Sequence, residues 1–436
     1  MQPPSTPFPT RRILRMWWPL AASWLLMGAE LPLFTAFVAR MAFPEVNLAA
    51  YGSVVFPVSL VVEAPIIMLL AASTALSSNW DDYRKLRRFM LTAGSLLTLV
   101  HVAIAFTPLY DFVAAGLIGA PAEVVEPARL GLRIMTPWTF SIAYRRFYQG
   151  VLIRFDRSRA VGLGTLVRLG VNTLVLASGY LHGGVSGIVV GTCAIACAVL
   201  AEAFFVGWCV RPVVRERLRN VATRGEPLTR ARFLRFYVPL AMTPLLTLVI
   251  QPIGAAAMSR MPLTLPSLAA WPAVHGLVFI PRGVGMAYNE VVVALFGEPG
   301  APRALRRFTR ILASILMVLL LAFAVTPLAG LWFEQFSGLS PELSDLCRTS
   351  VLLSLLMPGY TVLQSWFQGL LVARQETRAI TEAVALYLIV VSIVLAIGVR
   401  TQAWTGVYYA IAAFSLGGVL QTTWLWWRSR AVSGRD

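Results

Sequence analysis

The sequence predicts an all-α polytopic membrane protein of about twelve transmembrane helices, arranged as two parallel six-helix repeats. Three observations lead to this prediction. Of the 436 residues, 58% are apolar and only 13% are charged; apolar stretches recur at the length of a membrane span; and the second half of the chain repeats the first. A soluble domain of this length would carry far more charge. In lipid, such spans must be helices, because every backbone polar group needs an internal partner.

The apolar stretches are long enough to cross a hydrocarbon core about 30 Å thick. The N-terminus is polar and Pro-rich and leads into a full-length span without a small-x-small cleavage site, so we expect a first membrane helix rather than a signal peptide. The predicted helices are 13–40, 47–76, 86–110, 126–153, 160–181, 185–210, 232–259, 267–297, 305–332, 343–372, 378–399 and 404–428.

The basic residues are divided unequally between the two sets of loops. One set, which includes both termini, holds 27 Lys or Arg, and the alternate loops hold five. By the positive-inside rule, both termini are predicted to lie in the cytoplasm, with the chain in the cell inner (plasma) membrane. A nucleic-acid partner is not expected despite the net charge of +17, because nucleic-acid binders cluster their cations on one folded face.

An internal repeat is visible in the sequence. The stretch R-I-L-R-M-W-W-P-L-A at 12–21 returns 220 residues later as R-F-L-R-F-Y-V-P-L-A at 232–241, and further along the offset becomes 219, where T-P-L at 107–109 matches 326–328. Collinear matches over this length indicate a duplication.

The duplication predicts three regions: an N-terminal six-helix lobe (1–210), a cytoplasmic basic linker (211–230) and a C-terminal six-helix lobe (231–436). Because each half has an even number of helices, both enter the membrane from the same side, and the repeats are related by an axis along the membrane normal. In transporters of this plan, the two lobes rock around a site at the repeat interface. We expect the protein to act as a monomer in the lipid bilayer.

The motifs of the two halves resemble a known superfamily. A duplicated twelve-helix chain first suggests the major facilitator superfamily, but the loop N-W-D-D-Y-R-K-L-R-R-F lacks that family's glycines. The R-x-x-x-P-L opening of both lobes (Arg15 to Leu20 and Arg235 to Leu240) is instead similar to the multidrug/oligosaccharidyl-lipid/polysaccharide (MOP) exporter superfamily. That group includes the MATE drug exporters and polysaccharide flippases, so the resemblance implies a MATE/MOP-like fold.

Within that superfamily, the chain looks most like the progressive-ankylosis (ANK)-type transporters. The features that carry the likeness are the Arg15-to-Leu20 opening, Glu30 eleven residues after its proline, and L-A-A-Y-G at 48–52. The animal members are linked to export of pyrophosphate, nucleotide triphosphate or small carboxylates. The resemblance therefore implies an exporter of small organic or phosphorylated anions.

Several charged residues fall inside the predicted spans. Each costs roughly 2.5–3.5 kcal/mol at a helix centre on insertion scales, so it normally faces protein or water rather than lipid. The cations are Arg133, Arg145, Arg146, Arg168 and Arg282, and the candidate acids are Glu30, Glu63, Glu202 and Glu290.

Polar residues spaced four apart predict the lining of a cavity shared by the lobes. Helix 4 carries such a stripe, helices 7 and 10 repeat it, and in helix 8 an arginine lies in P-R-G-V-G (281–285), which is predicted to interrupt the helix. Freed backbone groups beside an arginine suit an anion. The predicted substrate-binding residues are Arg133, Arg145, Arg282, Ser141, Gln149, Gln251, Gln364 and Gln368.

The acids have more than one interpretation. Glu30 and Glu63 are predicted to bind a coupling ion, a proton or sodium, and the alternative is that they pair with the arginines. Arg168 and Glu202 are interpreted as a structural ion pair within the N-terminal lobe, and Arg146 is interpreted as turned away from Arg145 and reaching towards the cytoplasm.

Three functions fit these patterns. The first is a secondary active exporter of small anionic solutes; the alternatives are a MATE-type cation/drug antiporter and a flippase for a lipid-linked saccharide. An enzyme is not expected, because no nucleophile–base or metal-ligand constellation occurs in the spans. No cofactor is predicted, and no phosphate-binding G-x-x-x-x-G-K-[ST] loop suggests ATP as a fuel.

Overall fold

A computed structural model of the chain describes residues 8–220, 228–374, 376 and 378–433. The secondary structure of these residues is helical throughout. Twelve long helices follow one another: α1 (Thr10–Val38), α2 (Pro44–Leu76), α3 (Trp80–Phe106), α4 (122–154), α5 (Ser158–His182), α6 (Gly187–Pro212), α7 (Arg230–Met258), α8 (Thr264–Leu295), α9 (Ala301–Val325), α10 (Pro341–Ala373), α11 (Arg378–Thr401) and α12 (Gly406–Ser433).

Ten of these helices are long and apolar enough to cross a membrane. The other two are α4, which contains three internal arginines, and α12, which is rich in glycine, hydroxyl and aromatic residues. The predicted fold class is confirmed: the chain is an all-α, multi-pass membrane protein with twelve helices in the predicted order. The cytoplasmic location of the termini and the inner membrane stay predictions.

Matching irregularities of the backbone show the two repeats. α1 changes segment after Gly28, and α7 changes segment after Leu248, 220 residues later. The residues that precede α2 and α8 are Phe43 and Leu263, and both take the left-handed conformation, with φ of 52° and 53°. A non-glycine residue with positive φ is uncommon, so its occurrence at the same place in both halves reflects the duplication.

A π-helical turn explains why the repeat offset changes along the chain. α2 contains a π-helix at Tyr51–Val55, whereas α8 is α-helical from Thr264 to Met286. A π-bulge adds one residue to a helix, so the later residues of the first half match the second half at 219. In agreement, α2 breaks at Met68 and α8 breaks at Ala287.

The predicted interruption of α8 at 281–285 was wrong in position. The helix continues through Pro281 and the two following glycines, and the break falls at Ala287. The glycines serve close packing instead: a Cβ at Gly285 would lie 3.0 Å from the side chain of Val362 on α10.

α3 and α9 end earlier than predicted, at Phe106 and Val325. In both helices the next two residues are Thr-Pro, and the threonine is extended. A residue before proline is driven out of the helical conformation. Short helices at Leu109–Ile118 and 328–336 then follow.

The chain forms two compact units by packing. One combines residues up to Ala36 with those from Arg260 onwards, and the other is Phe37–Ser259. Each unit thus contains the first helix of one repeat among helices of the other: in Phe37–Ser259, for example, Tyr237 Oη of α7 donates a hydrogen bond to Pro65 O of α2 at 2.6 Å.

The predicted lobes, 1–210 and 231–436, follow the sequence repeat rather than this packing, and they stay a prediction. Of the predicted linker, 211–230, residues 221–227 lie outside the described residues.

Candidate functional site

A carboxylate at the centre of unit Phe37–Ser259 gathers polar groups from three helices. Glu202 of α6 is fully buried. Arg145 of α4 donates from Nη1 to both of its carboxylate oxygens, at 2.9 and 3.0 Å, and Gln149 Nε2, one turn further along α4, donates at 2.9 Å. Arg168 of α5 places Nη1 3.7 Å away. The predicted pairing of Arg168 with Glu202 is therefore present, and Arg145 joins it.

The local sequence makes this arrangement possible. Arg145 and Gln149 are four residues apart, so both side chains project from the same face of α4. On α5, Gly164 precedes Arg168 by one turn, and a Cβ there would already lie 3.4 Å from Glu202 Cγ. A larger residue would push α5 away from the carboxylate. An isolated buried charge is very costly, so Glu202 depends on its arginine partners.

A second acid and a third arginine extend the group. Glu63 of α2 is buried, and its carboxyl interacts electrostatically with Arg146, Arg145 and Arg168. Arg146, which we expected to reach away, is instead influenced by both Glu63 and Glu202. We define the Glu202 cluster as Glu63, Arg145, Arg146, Gln149, Arg168 and Glu202. With three arginines and two glutamates, it carries one excess positive charge.

Several buried polar atoms in and beside the Glu202 cluster have no hydrogen-bond partner among the described residues. They include one donor on each of two arginines and both amide atoms of Asn172, which is fully buried one turn beyond Arg168 on α5. The atoms are Glu63 Oε2, Arg145 Nε, Arg146 Nε, Gln149 Oε1, Asn172 Nδ2 and Asn172 Oδ1. Buried polar groups in proteins are nearly always hydrogen-bonded, so this concentration marks a place for a polar ligand.

In the other unit, Arg282 of α8 is half-buried. Its Nε donates to Thr361 Oγ1 of α10 at 3.3 Å, and its charge acts on His275, Tyr360 and Tyr387. No acidic residue within the described part of the chain forms an ion pair with Arg282. The guanidinium is therefore surrounded by hydroxyl and ring groups rather than by a counter-ion.

The glutamines of the predicted set have different environments. Gln364 of α10 donates to Gly418 O and Gln421 Oε1, both at 3.1 Å. Gln368 is half-buried one turn further on, and Gln251 is half-buried in α7. The amide oxygen of Gln251 accepts no hydrogen bond from the described residues. These residues are placed near polar groups, but their roles stay predictions.

Two other predicted residues bond to backbone. Ser141 is buried and donates to Pro137 O in its own helix at 2.8 Å. Arg133 does not join Arg145: its Nε donates to Ala105 O at the C-terminus of α3 at 3.1 Å, and its guanidinium lies 5.1 Å from the Phe106 ring. The last carbonyls of a helix lack helical partners, so this contact gives Arg133 a capping role.

The second repeat caps the matching carbonyl in the same way. Arg348 Nε donates to Ala324 O at 3.1 Å, and Ala324 matches Ala105 at the offset of 219. By that offset Arg348 matches Arg129, one turn before Arg133. The cap is thus kept although the arginine that provides it has moved.

The two predicted ion-coupling acids belong to different units. Glu63 is part of the Glu202 cluster, whereas Glu30 is half-buried in the unit that contains residues up to Ala36, where it begins the second segment of α1. A coupling role for either acid stays a prediction.

The repeat offset reveals site residues that the search for charges missed. At 219 residues, Arg145 matches Gln364 and Glu202 matches Gln421, so the ion pair of the first repeat and the Gln364–Gln421 hydrogen bond of the second occupy the same position. In the same register Glu63 matches Arg282. Gln421 could have been found from the sequence by this alignment. Asn172 could have been found by its spacing of four from Arg168.

Comparison with known proteins identifies the fold. No protein-family model matches the sequence, and no curated protein matches it. Solved structures do match. An inward-facing multidrug-resistance MATE transporter of the MOP superfamily superposes with a TM-score of 0.70 at 15% identity, covering 96% of this chain and 98% of that one. The chain has the MATE fold.

Two other solved structures with this fold widen the comparison. A MOP-superfamily transporter from Pyrococcus furiosus, reported to have a binding pocket of reverse polarity that suggests a different function, matches with a TM-score of 0.65 at 17% identity, covering 97% of this chain and 96% of that one. The lipid II flippase MurJ, in an inward closed conformation, matches with a TM-score of 0.65 at 15% identity, covering 94% and 87%. The resemblance to ANK-type transporters stays a prediction.

Proposed function

We propose that the protein is a secondary active transporter that exports small organic or phosphorylated anions by alternating access between its two lobes. The MATE fold supports transport, since the solved proteins that share it along nearly their whole length are transporters and a flippase. The anion preference is supported by the charges buried in this chain.

The observation that carries the proposal is the excess of buried arginine. In the Glu202 cluster three arginines face two glutamates, and in the other unit Arg282 has no ion pair among the described residues. Arginine presents a planar fork of donors that matches carboxylate and phosphate. Charged residues within a membrane are costly and mark substrate or ion pathways, so surplus arginine favours an anionic substrate.

The same charges argue against a cation as the principal substrate. A cation/drug antiporter of the MATE type would need acids that are not neutralised, whereas Glu202 is held by two arginines and Glu63 interacts with three. We assign Glu63 and Glu30 to a coupling proton or sodium ion instead.

A second candidate function is a flippase for a lipid-linked saccharide. It is favoured by the structural match to the lipid II flippase MurJ. Arginines would bind the pyrophosphate of a lipid-linked substrate by the same chemistry that binds a small anion, so the two candidates differ in the lipid tail rather than in the charged head group.

Flux measurements test the proposal. The purified protein is reconstituted into liposomes, and efflux of labelled pyrophosphate, ATP and citrate is measured beside efflux of the cationic dye ethidium. We expect faster efflux of at least one anion than from protein-free liposomes, and no efflux of ethidium. Ethidium efflux without anion efflux would refute the proposal, and transbilayer movement of a pyrophosphate-linked lipid without flux of a soluble anion would establish the flippase.

A further inference from the structure

Glu202 occupies the place that an anionic group would take. Its two carboxylate oxygens lie 2.9 and 3.0 Å from Arg145 Nη1, and one also lies 3.7 Å from Arg168 Nη1. A substrate carboxylate or phosphate presents oxygens of the same kind to the same donors. Any anion that binds these arginines must therefore compete with Glu202.

The second repeat shows that helix packing at this position does not need charge. Gln364 and Gln421 match Arg145 and Glu202 and hold α10 to α12 with one neutral hydrogen bond of 3.1 Å. Replacing a buried ion pair with well-packed neutral residues is often neutral or stabilising. The charges on Arg145 and Glu202 are thus not required to join the helices, which favours a functional role.

The unpartnered atoms show where a displacing ligand is received. Arg145 Nε, Arg146 Nε and Asn172 Nδ2 are buried donors without a partner among the described residues, and all come from the helices that surround Glu202 or from the residue next to Arg145. These donors are available in addition to the groups that Glu202 engages. Together they match the several oxygens of a phosphate or a polycarboxylate.

We propose that Glu202 is an internal counter-ion that competes with the substrate: a carboxylate or phosphate group of the transported anion displaces it from Arg145 and Arg168. This inference rests on the proposed function. Between transport events Glu202 neutralises the arginines, so the site avoids an uncompensated buried charge. When the anion leaves, the carboxylate returns to its arginines, which assists release of the substrate.

Binding measurements on three variants test this role. Citrate and inorganic pyrophosphate are titrated by calorimetry into the purified protein, into Glu202→Gln and into the double variant R145Q/E202Q, which recreates the Gln–Gln pair of the second repeat. A charge-assisted hydrogen bond gained by the ligand corresponds to roughly ten- to a hundredfold in affinity. We expect Glu202→Gln to bind the anion at least about tenfold more tightly, and the double variant to bind it more weakly than wild type.

The matched control is Glu298→Gln. It removes one acidic charge from a partly exposed ion pair with Arg12, outside the cluster, and is expected to leave affinity unchanged. Unchanged or weaker binding by Glu202→Gln, while wild type binds the probe, would overturn the competition and leave anion transport standing. Binding of neither probe, together with ethidium efflux, would overturn the proposed function itself. If Glu202→Gln does not fold, the competition predicts slower anion exchange in R145Q/E202Q than in wild type, and an unchanged exchange rate would contradict it.

Discussion

Arg282 is the residue whose surroundings bear most directly on the nature of the substrate. It is a half-buried guanidinium that contacts Thr361 at 3.3 Å, and within the described residues no carboxylate neutralises it. At the matching position of the first repeat the chain has Glu63. The two repeats therefore place opposite charges at one structural position, although in each unit the surrounding polar groups leave an excess of positive charge.

Replacing Arg282 with alanine is expected to weaken anion binding. The change removes a charge-assisted hydrogen bond worth about 1.5–3 kcal/mol, which corresponds to roughly ten- to a hundredfold in affinity. Arg282→Lys should recover only part of the loss, because lysine lacks the planar fork. Calorimetric titration with citrate and pyrophosphate measures the effect, and equal affinity in wild type and both variants would exclude Arg282 from the site.

Arg133→Ala gives a contrasting prediction at the same scale. Because Arg133 donates to the C-terminal carbonyl Ala105 O, its removal should lower the unfolding temperature and leave anion affinity unchanged. Residue type and spacing placed Arg133 and Arg145 on one stripe, but Met135 divides α4 into two segments, so their side chains reach different partners. Weaker binding with unchanged stability would restore Arg133 to the substrate site.

At the scale of elements, the repeat predicted more than the hydropathy did. Hydropathy gave the order and number of the helices, and Thr-Pro motifs explain where α3 and α9 end. The π-helix at Tyr51–Val55 and the breaks at Met68 and Ala287 could not be read from local propensity, because packing between helices decides them. Glycines at close helix contacts, such as Gly150 in the repeated Gln-Gly pair, report that packing.

Gly150→Ala tests how tightly α4 packs on α2. A Cβ at this position would lie 1.9 Å from Ser73 Oγ and 2.3 Å from Leu70 O, so the backbone must shift. Overpacking of this kind costs about 1–3 kcal/mol, and the unfolding temperature of the variant should fall. Gly162→Ala on α5 is the control, since no atom lies within 4 Å of its Cβ; equal stability of the two variants would contradict this account of the packing.

At the scale of the whole molecule, the distribution of basic residues predicts the orientation in the membrane. After the four native cysteines are replaced, single cysteines at Asp156 and Glu342, both exposed positions between spans, are treated with a membrane-impermeant maleimide in intact cells. We expect labelling of Glu342→Cys, and labelling of Asp156→Cys only after the membrane is broken. The reverse pattern would show that the termini lie outside the cytoplasm.

The fold of the whole molecule could be predicted from the sequence because length, apolar spans and duplication all constrain it. The buried contacts of the site could not. Glu202 gathers groups from α4, α5 and α6, and no periodicity within one helix reveals which side chains from three helices will meet. The sequence did identify the arginines as unusual, because their cost in a membrane is independent of their partners.

The central claim is that buried arginine gives this MATE-fold protein an anionic substrate. The most direct measurement compares wild type with Arg282→Gln in proteoliposomes, using exchange of labelled citrate or pyrophosphate in one series and efflux of ethidium in the other. The account predicts anion exchange by wild type, a loss of about ten- to a hundredfold in anion affinity for the variant, and no ethidium efflux from either. Ethidium efflux by wild type that survives in Arg282→Gln and is abolished by Glu30→Gln, without anion exchange, would contradict it.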